Sequence, residues 1–339
     1  MLNFDYKIDT EIFFGRGQIS HLGAAVRAFA ESALVVYGGG SVVHSGVLGA
    51  ATAQLSEAGV SYTELSGVQP NPRIASVREG VRRCKERKLT AVLAVGGGSS
   101  IDCAKAIAAG ACYNGDPWDL VCDPSLIRVA LPVFSVLTLA ATGSEMDSVA
   151  VISNPETMDK KGFGAPCLRP RASVLDPTYT FTVPKNQTAA GTADIMSHIL
   201  ENYFSPVEGA FIQDGFAETL LRACVKYGPV AMARPDDYEA RANLMWASSH
   251  AINGLISLGK PVPWSVHSME HQLSAWYDLT HGVGLAILTP HWMDMVLSEQ
   301  TAPRFAHYGE SVFGLRGEMM EQARGAIAAT RARMLFRSR

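Results

Sequence analysis

The sequence predicts an α/β fold: a first half that alternates strands and helices around a mainly parallel sheet, then an all-helical second half. Three observations carry this. Short β-branched or apolar runs end in glycine clusters, Gly38-Gly39-Gly40-Ser41 and Gly96-Gly97-Gly98-Ser99-Ser100. Amphipathic stretches of helical period separate those runs. Beyond Pro184-Lys185-Asn186-Gln187 the strand signals fade and long helical patterns take over. Strands that alternate with helices pair in parallel, because each helix carries the chain back to the end where it started.

The elements follow in order. Ala33-Leu34-Val35-Val36-Tyr37 is a short β-branched strand. Residues 48–59 form an amphipathic helix closed by Gly59, and residues 61–65 a second strand. Pro70-Asn71-Pro72 interrupts the chain before a helix over 74–88. Residues 91–95 are a fully apolar strand, 101–111 a helix and 129–138 another strand. The second half carries helical patterns over 188–203, 211–227, 239–253, 264–277 and 281–296. A length of 339 residues suits two domains, expected at 1–185 and 186–339. The last helical pattern, 318–334, runs toward Phe336-Arg337-Ser338-Arg339 with no capping glycine or proline, so an incomplete C-terminus is expected.

Bulk properties exclude several classes. With 47% hydrophobic and 18% charged residues the chain can bury a large core and is not disordered. A net charge of −3 without a basic run gives nucleic-acid binding no support. Apolar runs are broken by glycine, proline or charge, so no membrane span is expected, and the first residues lack a signal-peptide pattern. Six cysteines without a CxxC pair read as reduced, mostly buried thiols of a cytoplasmic protein.

Two constellations carry chemistry. Gly96 to Ser100 stands between a strand and a helix, where backbone amides and the helix dipole suit a phosphate. Its spacing is not GxGxxG, and a glycine cluster alone also makes an ordinary tight turn. No acid follows Tyr37; the small Gly38, Gly39 and Ser41 leave room for a 2′-phosphate, which favours NADP(H) over NAD(H). Thr138-Leu139-Ala140-Ala141-Thr142 is a third loop of this kind. The second constellation is Asp194 and His198, four apart on one helix face, with His267 and His271 repeating the spacing and His281 ten residues on. One carboxylate with several imidazoles suits a single divalent metal, Zn(II) or Fe(II) among others. An open position for substrate favours four ligands and a spare imidazole able to assist proton transfer.

With these motifs the chain resembles the iron-containing, or group III, alcohol dehydrogenases, in particular the NADPH-dependent butanol dehydrogenase and aldehyde reductase branch. The matching segments are Tyr37 to Ser41, Gly96 through Asp102 to Lys105, Ala141 to Glu145, Gly191 to His198, and His267 through His281-Gly282. The resemblance implies a Rossmann-like dinucleotide-binding domain, an all-helical metal-binding domain and an active site in the cleft between them. It implies metal ligands at Asp194, His198, His267 and His281, with His271 a nearby non-ligand and catalytic helper. It implies cofactor contacts at Gly38, Gly39, Ser41, Gly97, Gly98, Ser99, Ser100, Asp102, Thr138 and Thr142. It further implies aldehyde or alcohol substrates and a homodimer. Asp102 has a second reading, as an acid in a helix's first turn. Val42-Val43-His44 stands where this branch often carries lysines, which weakens the hold on a 2′-phosphate. The competing classes are an NAD-dependent glycerol dehydrogenase-like enzyme and an inactive truncated cofactor-binding protein.

Overall fold

The computed structural model describes residues 1–335. Six strands form one parallel sheet in the order β1-β8-β5-β4-β2-β3. They are β1 (Glu11–Phe14), β2 (Ser32–Tyr37), β3 (Ser61–Leu65), β4 (Ala91–Gly96), β5 (Val133–Leu137) and β8 (Ala172–Leu175). Between β5 and β8 the chain makes an antiparallel hairpin, β6 (Val149–Asn154) with β7 (Asp159–Gly164).

Alternation of side chains across the sheet gives it two buried faces. Leu34, Val36, Val92 and Ala94 pack on one side with the helices Ile74–Arg87 and Gly98–Ala111. Ala33, Val35, Leu93, Val95, Phe134 and Val136 pack on the other with Leu22–Arg27 and Val47–Glu57. The chain leaves β2 for β3 on one side and returns to β4 on the other. That reversal opens a crevice at the carboxyl ends of β2 and β4, where both glycine clusters lie.

From Lys185 onward the long elements are helices: Lys185–Tyr203, Phe211–Ala233, Tyr238–Ile252, Ser265–Tyr277, His281–Val296, Ala302–Phe313 and Met319–Met334. Lys185–Tyr203 is the axis of this half, with Ile195, Met196, Ile199, Leu200 and Tyr203 fully buried. No described helix is long and apolar enough to cross a membrane.

Several expectations need correction. The strand expected over 129–138 occupies only Val133–Leu137; just before it the Leu131 amide donates to the Ala108 carbonyl and the Pro132 carbonyl accepts from the Val92 amide. Strands β1, β7 and β8 carry no strong sequence signal: two have four residues, and β7 contains Asp159, two lysines and two glycines; β6, a β-branched run, is not among the expected strands. The cysteines are free thiols, but only Cys84, Cys103 and Cys224 are buried, whereas Cys112 and Cys122 are exposed. Residues 336–339 lie outside the described residues.

Candidate active site

The helices of the second half bring the predicted imidazoles together. Ligand atoms of Asp194, His267 and His281 lie within 4.8 Å of one another. His198 stands beside this trio: its Nδ1 is 3.5 Å from Asp194 Oδ1 and its ring stacks on His267 at 4.4 Å between centroids. His271, one turn along from His267, is 5.6 Å from His281 by the same measure and also belongs to a close group with Glu270 and His281. Gly282 makes the approach possible. A Cβ there would sit 2.1 Å from the Ala190 carbonyl oxygen, so only glycine lets His281–Val296 press against Lys185–Tyr203.

Three charged residues absent from the sequence reading orient these imidazoles. Glu201 accepts from the backbone amides of Val266 and His267 and, at 2.5 Å, from His267 Nδ1. It thus caps the first turn of Ser265–Tyr277 and leaves His267 Nε2 with its lone pair exposed to the cavity. Glu270, fully buried, faces His281 Nδ1 and accepts from Lys160 Nζ at 3.1 Å. A carboxylate at Nδ1 places the proton there and turns His281 Nε2 toward Asp194, 3.7 Å away. Glu201 three residues after His198, and Glu270 three residues after His267, share helix faces with those histidines; that spacing was the available signal. Lys160 comes from the β6–β7 hairpin and had none.

Lys160, paired with Glu270, is the cation that the protein itself brings to this cluster. Burial first, then the charge of Glu270, pushes the Asp194 carboxyl up to about 8. Burial draws His267 and His271 down to about 3 and holds His198 and His281 well below their ordinary value. Asp194 Oδ1, His198 Nδ1, His267 Nε2 and His271 Nε2 are buried with no hydrogen-bond partner. Neutral imidazoles and a destabilised carboxylate, all with idle lone pairs, fit a divalent metal, whose charge would restore the ionised carboxylate.

The cofactor-side residues divide. Ser99, Asp102 and Thr142 line the same cavity as His198, His267, His271 and His281, a space of about 640 Å³. Gly38, Gly39, Ser41, Gly97, Gly98, Ser100 and Thr138 are not on its wall; they sit in the turns after β2, β4 and β5 and in the first turns of the helices that follow β2 and β4. Gly98 is glycine for an internal reason: a Cβ would meet Thr142 Oγ1 at 2.3 Å. Asp102 is fully engaged by the protein, accepting from Ser144 Oγ at 2.6 Å and from the Val151 amide at 2.9 Å; burial pushes its carboxyl up to about 6. The helix begins at Gly98, so Asp102 is its fifth residue and not the first-turn acid expected; it ties the helix to the hairpin instead. Tyr37 is not free of acids either: its hydroxyl donates to Glu64 on β3 at 2.7 Å. At the cavity mouth, Asn71 donates to Asp278 and to the Leu279 carbonyl, and Arg73 pairs with Asp278 at 2.7 Å, joining the two halves.

The description "Iron-containing alcohol dehydrogenase" matches residues 9–177, and "Fe-containing alcohol dehydrogenase family, C-terminal" matches residues 188–337. The chain belongs to the iron-containing alcohol dehydrogenase family. It is 60% identical over 333 residues to the NADH-dependent butanol dehydrogenase A of Clostridium acetobutylicum, covering 98% of this chain and 86% of that protein. It is 40% identical to the NADPH-dependent aldehyde reductase YqhD of Escherichia coli, with 98% and 86% covered. The crystal structure of an NADH-dependent butanol dehydrogenase A from Thermotoga maritima superimposes with a TM-score of 0.96 at 42% identity, covering 99% of this chain and 84% of that one. Within the family the chain falls in the branch of these proteins. The chain spans 84–86% of the length of these relatives.

Proposed function

We propose that the protein is a metal-dependent alcohol dehydrogenase and aldehyde reductase that interconverts short- to medium-chain aldehydes and primary alcohols, such as butanal and butanol, with a nicotinamide cofactor. The observation that carries this is one cavity walled on one side by Ser99 and Thr142 and on the other by imidazoles with unpartnered lone pairs. Asp194, His198, His267 and His281 would hold the ion. When bound, the ion supplies Lewis acidity and the nicotinamide supplies or accepts hydride. Glu201 and Glu270 fix the tautomers of His267 and His281. Phe163, Ile252 and Trp264 line the cavity with apolar surface suited to an alkyl chain and to excluding water. His271 lines the same cavity beside His281 and is the spare imidazole that would assist proton transfer. The reading includes a domain boundary between residues 185 and 186, supported by the end of the sheet at Leu175 and the long helix that begins at Lys185.

For cofactor preference the sequence favours NADP(H), because no acid follows Tyr37. A second reading, NAD(H), is supported by the Glu64 carboxylate at the Tyr37 hydroxyl, which repels a 2′-phosphate, and by the names of the Clostridium and Thermotoga relatives. The expected homodimer is supported by exposed Leu2, Phe4, Phe211 and Ile212, and sedimentation velocity tests it. The deciding experiment for the reaction is butanal reduction by purified protein with NADH or NADPH, before and after chelation and with Zn(II) or Fe(II) restored. Turnover that disappears with the metal and returns with it supports the reading. Cofactor and metal binding without turnover of any aldehyde would sink it.

A further inference from the structure

Four cationic side chains among the described residues are buried: Lys105, Lys160, Arg241 and Lys260. Three have an acid partner, Asp147, Glu270 and Asp214 respectively. Arg241, in Tyr238–Ile252, has only neutral oxygens. Its Nε donates to the Pro235 carbonyl at 2.8 Å and its Nη1 to Thr188 Oγ1 at 2.9 Å. Nη2 has no partner among the described residues. A guanidinium does not give up its proton, so burial without an anion is costly. Burial alone pulls its pKa below the ordinary value, with no acid to offset it.

Arg241 also lines a second, small cavity, with Leu139, Ala140, Thr180, Thr188 and Thr192 around it. Its volume is about 10 Å³, room for one water-sized occupant. The hydroxyls of Thr180 and Thr192 are committed to the Pro177 and Thr188 carbonyls. Thr188 differs: its oxygen accepts from Arg241 and its own proton is unused. It lies in the first turn of Lys185–Tyr203, the positive end of that helix. The donors left over are the second Arg241 Nη1 proton, both Nη2 protons and the Thr188 hydroxyl proton, in a region of uncompensated positive charge.

We infer that Arg241 and Thr188 form a binding site for one small inorganic anion of the halide class. Leu139 and Ala140 belong to the loop between Thr138 and Thr142, so an occupied site braces that loop from behind. This site does not depend on the redox reading. The test has two arms. Crystals of the wild-type protein soaked in sodium bromide should show an anomalous peak within hydrogen-bond distance of Arg241 Nη2. In solution, replacing gluconate with chloride at constant ionic strength should raise the Tm of the wild type by roughly 2 °C and saturate. That rise should vanish in Arg241→Met and shrink in Thr188→Val, which retains the guanidinium if the first variant folds poorly. A Tm indifferent to chloride, together with water density and no bromide at Arg241, would overturn the inference.

Discussion

The two walls of the cavity treat their own polar atoms in opposite ways. On the α/β side the two buried carboxylates that line the cavity are consumed internally: Asp102 by Ser144 and Val151, and Asp147 by Lys105 at 2.5 Å and the Val149 amide. On the helical side four buried atoms, on Asp194, His198, His267 and His271, are left with nothing to bond. Loops that present backbone to a cofactor are stiffened when their side chains are satisfied. A metal site requires the reverse, lone pairs that no group of the protein can fill.

The contrast can be broken first on the helical side. His267→Ala should remove metal and activity together, a loss on the order of a thousandfold or more if the ion supplies several kcal/mol to the barrier. His271→Ala should retain the metal and lose about a hundredfold in rate. Metal content by mass spectrometry beside steady-state rates checks both, and equal metal loss in the two variants would erase the division of roles. Glu270→Gln tests whether the supporting carboxylate matters: metal affinity should fall about 10–100-fold, read by competition with a chelator.

On the α/β side, Gly98→Ala drives a Cβ into Thr142 without touching the imidazoles. It should cost about 1–3 kcal/mol of stability and raise the KM for cofactor, with metal content unchanged. Urea unfolding and cofactor titration measure the two effects, and a drop in bound metal would show that the walls are coupled.

The smallest effect concerns the joint between the halves. Glu145 is fully buried, its Oε1 accepting from Ser249 Oγ at 2.5 Å and its Oε2 unpartnered. Burial raises its carboxyl from 4.5 to about 7. The folded state therefore holds this proton more tightly than the unfolded chain. The resulting stability is present below pH 4.5 and is lost as pH rises through about 7. Glu145→Gln should match the wild type in acid and exceed it above pH 7 by at most about 3 kcal/mol. Unfolding curves at pH 5 and pH 8 provide the comparison, and an unchanged gap between them would count against a protonated Glu145.

What the sequence determined by itself was local. Apolar runs ending in glycine announced β2 and β4 with their turns, and spacings of four placed Asp194 with His198 and His267 with His271 on common helix faces. Both signals are periodicities of one element and need no knowledge of its neighbours. The short strands β1 and β8 escaped because their identity comes from pairing with a sheet already built. Tertiary structure alone decided which groups answer the imidazoles and the tyrosine: Glu201 meets His267 across 66 positions, Lys160 meets Glu270 across 110, and Glu64 meets Tyr37 across two strands. It also decided that Asp102 is spoken for and that Arg241 is not. A residue's chemistry is written in its type, but whether its charge and lone pairs are satisfied depends on distant partners that only the packed chain brings within hydrogen-bond reach.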